Sequence, residues 1–346
     1  MSRLFIAPRR AATAALWSMI VATGVAAQAE QPKPQPAAAT SEQATSKKAT
    51  SKKATSEKAT SKPVNAAKAG DSKPAANEST RTTVAGIEWR TDYGSAYRAA
   101  KGSKRMLLIN FVGAGTSAQQ NAERTIAGSA SLQKKLAGVV CARLPLDAQI
   151  AVNGKQQRLL GCGAFAHLQG GPGFVLIDLQ HVGAHYYGQP VNVLPYASGK
   201  YYHWRPEHLG VILDLPAGTL TQRTMIWAVR VHPEGPQSTY GEHNPGLSNG
   251  AAQHASYQAN AGVQGHQNFE SRFHQLSAAS GGSGVSEVVA ESWPNQNMID
   301  SCLDCVSSWR HSPGHWRGVA GRHRAFGYDI RRGRNGIWYG TGIFAN

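Results

Sequence analysis

Cysteine is scarce in this chain, four residues among 346, so at most two disulfides are available and the folded parts must rest on their own apolar cores. Acidic residues are also few, 20 against 36 basic ones, for a net charge of +16. That excess is unevenly spread. Arg3, Arg9, Arg10 and a lysine-rich segment before residue 80 supply nearly half of it, and the remainder is mildly basic. No basic cluster sits on a recognisable nucleic-acid module, which argues against nucleic acid as a partner. Anionic wall polymers or lipid head groups are the acidic partners that suit such a charge. Long apolar runs are missing too. The best candidate, residues 11–27, is broken by Thr13, Ser18, Thr23 and Gly24 and is short for a bilayer span.

What stands at the start is a secretory signal pattern over residues 1–29. Basic residues come first, then the apolar run, then the small-x-small cleavage pattern Ala27-Gln28-Ala29. Cleavage would leave a secreted or periplasmic chain beginning near Glu30, with no stable membrane span. The Arg9-Arg10 pair leaves both the general secretory and the twin-arginine routes open. Residues 30–83 follow, made of Ala, Thr, Ser, Lys and Pro with a pentad repeat over 44–63. So little apolar surface cannot offset the entropy of folding, and the period of five matches no helical stripe or solenoid unit. A disordered, positively charged linker is expected, acting as a spacer or a wall-binding tail.

Residues 84–180 read as α/β. The run 105–112 (Arg-Met-Leu-Leu-Ile-Asn-Phe-Val) suits a buried parallel strand, 117–136 a helix, 139–146 a second strand, 155–167 a helix and 173–179 a third strand. With Trp89, Tyr93 and Ala96 in a first helix and Pro172 ahead of Phe174-Val175-Leu176-Ile177-Asp178, this stretch resembles the thioredoxin-like fold. The resemblance implies a cis-proline at Pro172. Where that family keeps its redox Cys-x-x-Cys, this chain has Gly113-Ala114-Gly115-Thr116-Ser117. Thiol–disulfide exchange needs a thiolate, so the domain should be redox-inactive there. Cys141 and Cys162 remain as buried hydrophobes, as a mutual disulfide or as a redox pair.

Residues 181–214, rich in Tyr, His, Gly and Pro, read as a connector whose aromatic side chains hold the flanking parts together. Beyond it, helices are expected over 220–231, 247–261 and 298–310, and two closing strands over 325–330 and 336–345, which is α+β order. The ordered motifs are His254 and Gln258, Gly265-His266, Glu287-Val288-Val289-Ala290, Trp309-Arg310-His311-Ser312-Pro313-Gly314-His315, Phe326-Gly327-Tyr328 and residues 338–345. On these, residues 215–346 resemble the CAP (SCP-like, cysteine-rich secretory) superfamily, an α-β-α sandwich. Trp316 stands where the family has an arginine, and Ser286 where it has a glycine.

The resemblance implies a ligand cleft lined by His266, Glu287 and His315. It leaves a fourth, acidic member without a clear counterpart, for which Asp300 and Asp304 are substitutes by chemistry only. Two imidazoles could hold a metal ion such as zinc at His266 and His315 with an open position for water. Ser312 reads first as part of a helix-ending turn rather than a nucleophile, and His311 and His323 as surface or structural groups. Cys302 and Cys305 form a Cys-x-x-Cys inside a helix, away from the strand-to-helix turn that activates a thiol. An inert buried pair or a local disulfide is expected there. The reading is an exported bacterial cell-envelope protein whose CAP-type cleft binds a wall or lipid ligand or a partner protein without catalysis. Its rival is a metal-assisted hydrolase of peptide or peptidoglycan bonds, and an oxidoreductase using Cys302 and Cys305 comes last.

Overall fold

Alternation of half-buried and exposed residues starts the fold at Arg81, earlier than the linker boundary at 83 suggested. In the computed structural model, which describes residues 81–152, 154–282 and 284–346, β1 (Arg81–Val84) pairs antiparallel with β2 (Ile87–Arg90). Ala85 and Gly86, at φ 55° and 76°, make the tight turn between them, the left-handed pair that a two-residue hairpin requires. The signal pattern and the pentad repeat lie outside the described residues.

The hairpin opens a six-stranded sheet in the order β1-β2-β4-β3-β7-β8. After α1 (Tyr93–Ser103) comes β3 (Leu107–Val112), then α2 (Ser117–Gly128) and α3 (Ala130–Leu136), then β4 (Val140–Pro145). β4 lies parallel to both β2 and β3, whereas β7 (Gly173–Ile177) runs antiparallel to β3, and β8 (Pro190–Pro195) antiparallel to β7. Trp89 lies on β2 rather than in the first helix. The helix expected over 117–136 is two, because Ser129 takes an extended conformation and its hydroxyl caps α3 through the Leu132 N–H. The helix expected over 155–167 is absent. Lys155–Arg158 is instead β6, folded back on β5 (Gln149–Val152) through Gly154 at φ 77°, and 3-10 turns follow at Leu159–Gly161 and Gly163–Leu168.

Residues 181–214 are more than a connector, since they supply β8 and then α4 (Glu207–Leu213). The aromatic contacts expected there are present. Trp204 packs on Phe174 and Tyr196, and His208 stands edge-on to Trp227 at 5.1 Å. The next helix, α5 (Leu220–Arg230), was expected to be amphipathic. Its residues Gln222 to Val229 are all buried, because it packs against β8 on one side and the second sheet on the other. Arg223 is 1 % exposed and spends its guanidinium on Asn192 Oδ1 and on the carbonyls of Ile212, Leu215 and Pro216.

The second sheet has the order β10-β12-β11-β9. β9 (Glu242–His243) leads into α6 (Pro245–Ala261) and α7 (Phe269–Ala279). β10 (Val285–Glu291) precedes α8 (Met298–Arg310) and α9 (Pro313–Ala320), and β11 (Ala325–Arg332) and β12 (Trp338–Ala345) close the chain. Leu247, Ala251 and Leu276 pack on Ile343 and Ala345 on one face of this sheet. Val306 and Trp309 of α8 belong to the core on the other face with Tyr328 and Phe344. That core is continuous from Trp89 and Leu108 through Met225 and Trp227 to Phe344, so residues 81–346 share an apolar interior. Among the described residues no helix is long and apolar enough to cross a membrane.

The cis-proline expectation is corrected, and of the alternatives left open for the cysteines the disulfides are not formed. No peptide bond among the described residues is cis, so Pro172 is joined in trans, the isomer that X-Pro bonds favour by about 0.5–1 kcal/mol. All four cysteines are free thiols. Cys141 is 4 % exposed on β4, and Cys162, half-buried, accepts a hydrogen bond from Gln157 Nε2 at the head of a 3-10 turn. Cys302 and Cys305 are fully buried on one face of α8, where helical geometry keeps them as separate packing groups.

Candidate functional site

The candidate site is assembled from the inside outward. α6 starts at an Asn244 cap with Pro245 in its first turn and presents His254 and Gln258, one turn apart, on its buried face. Both side chains grip the backbone of one residue. Gln258 Oε1 accepts the Gly265 N–H at 3.1 Å, and His254 Nε2 donates to the Gly265 carbonyl at 2.8 Å. Gln258 Nε2 donates in turn to Thr341 Oγ1 on β12. The loop after α6 is therefore pinned to helix and sheet one residue before His266.

His266 reaches Glu287 on β10, its Nδ1 donating to Oε1 at 3.0 Å. The Glu287 side chain is only 1 % exposed, and a buried carboxylate demands a counter-charge. Arg272 of α7 supplies it with a two-pronged contact, Nη1 to Oε2 at 2.7 Å and Nη2 to Oε1 at 3.2 Å. Burial alone would raise the Glu287 pKa. The hydrogen bonds from His266 and Arg272 outweigh it and hold the carboxyl below its usual range. His254 adds a third positive neighbour at 3.6 Å when protonated, although burial holds its own pKa down.

His315, on α9, completes the cluster. Its Nε2 lies 3.3 Å from His266 Nε2, with the two rings stacked at 28°. Because His266 gives its Nδ1 proton to Glu287, its Nε2 carries a lone pair when the ring is neutral, and His315 Nε2–H is the donor. Burial, then the charge of His266, depresses the His315 pKa. His266, Glu287 and His315 are thus brought together, with the imidazole of His266 half in solvent.

The other candidates are placed elsewhere. Asp300 accepts backbone N–H groups of Lys200, Tyr201 and Tyr202, and Asp304 accepts that of Trp293, so neither belongs to the cleft. Ser312 stands at the N-cap position of α9 without a side-chain capping bond, and its hydroxyl bonds no histidine. His311 bonds the Ser307 carbonyl, and His323 bonds Gly318 and Asn346 while stacking on Phe344. Burial raises the thiols of Cys302 and Cys305 well above their ordinary value and that of Cys141 to about 12, the opposite of an activated thiolate. Arg272 is the residue that sequence reasoning missed. The signal for its helix was the stripe Phe269, Phe273, Leu276.

For metal chemistry the donor set divides. Among the described residues no three His, Cys, Asp or Glu side chains are arranged to hold a metal ion together. Glu287 is engaged by Arg272 and stands behind His266, the position of an outer carboxylate that orients a ligand histidine. The facing Nε2 atoms of His266 and His315 are the two nitrogens left to offer. Compared with known protein families, with curated proteins and with solved structures, the chain finds no match.

Proposed function

We propose that the chain is an exported bacterial cell-envelope interaction protein whose CAP-type cleft, around His266, Glu287 and His315, binds a ligand without transforming it. The signal over 1–29 would export it, the tether over 30–80 would space the folded part from its attachment, and the thioredoxin-like part would serve as a scaffold. The observation that carries this reading is the convergence of three side chains 21 and 49 residues apart at a solvent-reached point. The strand order β2-β4-β3-β7-β8, with helices on both faces of the second sheet, supports the two resemblances.

Binding without catalysis follows from how the groups are committed. A carboxylate held ionised and fully engaged by Arg272 is a weak general base at neutral pH. No hydroxyl or thiol forms a hydrogen-bonded pair with His266 or His315. The ligand is a wall polymer, a lipid or a partner protein. A pull-down on purified cell wall tests the reading. Retention should survive high salt and deletion of residues 31–80 and be lost in His266→Ala and His315→Ala. Retention that vanishes with the tether and ignores both histidines would reject it.

One observation favours the rival hydrolase, namely a carboxylate-backed imidazole whose free nitrogen faces a second imidazole at 3.3 Å. His266 and His315 would hold a zinc ion, which when bound would supply an activated water. Calorimetric zinc titration of the full chain, beside the two alanine variants, decides it. Stoichiometric binding lost in both variants supports the hydrolase, and absence of binding removes it.

A further inference from the structure

β10 is an edge strand. The second sheet ends on it, and its register with β12 is unbroken from Val285↔Ala345 to Glu291↔Tyr339. In an antiparallel pair, alternate residues turn both backbone groups toward the partner, and those between turn both away. The Ser292 N–H bonds the Trp338 carbonyl, and the Asn346 N–H bonds the Gly284 carbonyl, so the even-numbered residues face β12. The Val289 carbonyl confirms the opposite parity, because it faces outward and accepts Gln264 Nε2. Glu287 shares that parity. Its N–H and C=O therefore point out of the sheet edge, and neither has a hydrogen-bond partner.

Solvent reaches the main chain of Glu287 on this edge. The side chain is 1 % exposed, yet the residue as a whole is only half-buried. Val289, two residues on, is 1 % exposed beneath the loop that carries Gln264. One donor and one acceptor thus stand open at the point where Glu287 binds His266. Beyond the closed end of the edge, Tyr257 and Val263 are 46 % and 52 % exposed. The Tyr257 ring lies flat against His254, and Val263 adjoins Gln264.

We infer that the cleft takes an extended, all-L segment of a partner protein, which pairs one residue's N–H and C=O with the open backbone of Glu287 beside His266 and His315. A neighbouring strand is the structure that complements an open donor and acceptor on one edge residue, and alternating side chains of the guest would reach the imidazoles. Wall stem peptides fit this edge less well, because they alternate residue chirality. The inference rests on the ligand-cleft reading and narrows it to one partner class.

The probe is a library of random all-L heptapeptides displayed on phage and panned against the full chain, followed by synthesis of the enriched peptide. That peptide should slow hydrogen exchange at the Glu287 amide at least tenfold. N-methylation at the one residue that pairs with Glu287 should weaken its binding at least tenfold while its two neighbours tolerate it, and its all-D form should not bind. Enrichment of no cleft-dependent peptide, unchanged exchange at Glu287 or a flat N-methyl scan would overturn the inference. The two proposals separate in a competition arm. If peptide-free wall glycan displaces the chain from intact wall and His315→Ala abolishes retention, the ligand cleft stands and the peptide partner falls.

Discussion

Arg272 meets a carboxylate whose side chain is sealed from water and is the one guanidinium on it among the described residues, beside the imidazoles of His266 and His254. Removing one partner of such a pair strands the other as an uncompensated buried charge. Arg272→Met should therefore destabilise the fold by about 3 kcal/mol in urea titrations, and Glu287→Gln in the same background should recover part of that loss. A recovery of zero would mean that Arg272 acts through its packing on Phe269, over whose ring its guanidinium lies 5.6 Å away. His208 makes a second residue-scale case. It is 8 % exposed among Tyr202, Trp204 and Trp227, with Nδ1 unpartnered, and burial followed by the Arg205 charge lowers its pKa to about 4. The unfolded chain binds that proton near pH 6.5 and the folded one does not, so the stabilising contribution is complete above about pH 6.5 and is lost as pH falls toward 4. Its size is on the order of 3 kcal/mol at about 1.4 kcal/mol per pKa unit. The melting temperature of His208→Phe should fall less steeply over that interval than that of the native chain.

At the scale of elements, the join between the first sheet and α8 is a carboxylate in a backbone cradle. Asp300, in the first turn of α8, accepts N–H groups from Lys200, Tyr201 and Tyr202 and the amide of Asn297. A methyl group at Gly199 would run into that carboxylate. Gly199→Ala should open the latch, speed amide exchange at Tyr201 and Tyr202, and cost about 1–3 kcal/mol, the range for a charged group losing its hydrogen bonds. Unchanged exchange would show that the loop is held by its aromatic rings alone. Elements with one clean period were legible in the sequence. α8 shows its stripe of Ile299, Cys302, Val306 and Trp309, and β11 and β12 show dense apolar runs on either side of a glycine turn. β8 was not legible, because Pro190 and Pro195 bound it in a Tyr- and Gly-rich stretch. Proline is tolerated on an edge strand, and β8 is one. The hairpin β5–β6 was hidden for a different reason, since Lys155–Arg158 is fully exposed and carries no apolar pattern. In the cleft, His266, Glu287 and His315 were legible from motif order. The grip of His254 and Gln258 on Gly265, and the counter-ion from α7, depend on tertiary placement that no local pattern encodes.

For the whole described region, the question is whether the parts built on the first and the second sheet unfold together. α5 lies between the two sheets with eight consecutive residues buried, and its Arg223 bonds Asn192 of β8 and the Ile212 carbonyl of α4. One core contains Leu108 and Phe174 of the first sheet together with Met225, Trp227, Tyr328 and Phe344. Splitting the chain after residue 214 would expose Trp227 and leave Arg223 without two of its four acceptors, a buried cation unsatisfied at either position. Urea unfolding followed by tryptophan fluorescence and by far-ultraviolet circular dichroism should therefore give coincident single transitions. A fragment of residues 215–346 should lack cooperative unfolding. Two separated transitions, or a fragment that melts sharply, would mean that the shared interior contributes little and that the two sheets belong to independent domains. In that outcome the His266, Glu287 and His315 cluster could be studied alone, whereas a single transition means that a substitution at Arg223 will lower the population of the intact cluster through the folded fraction.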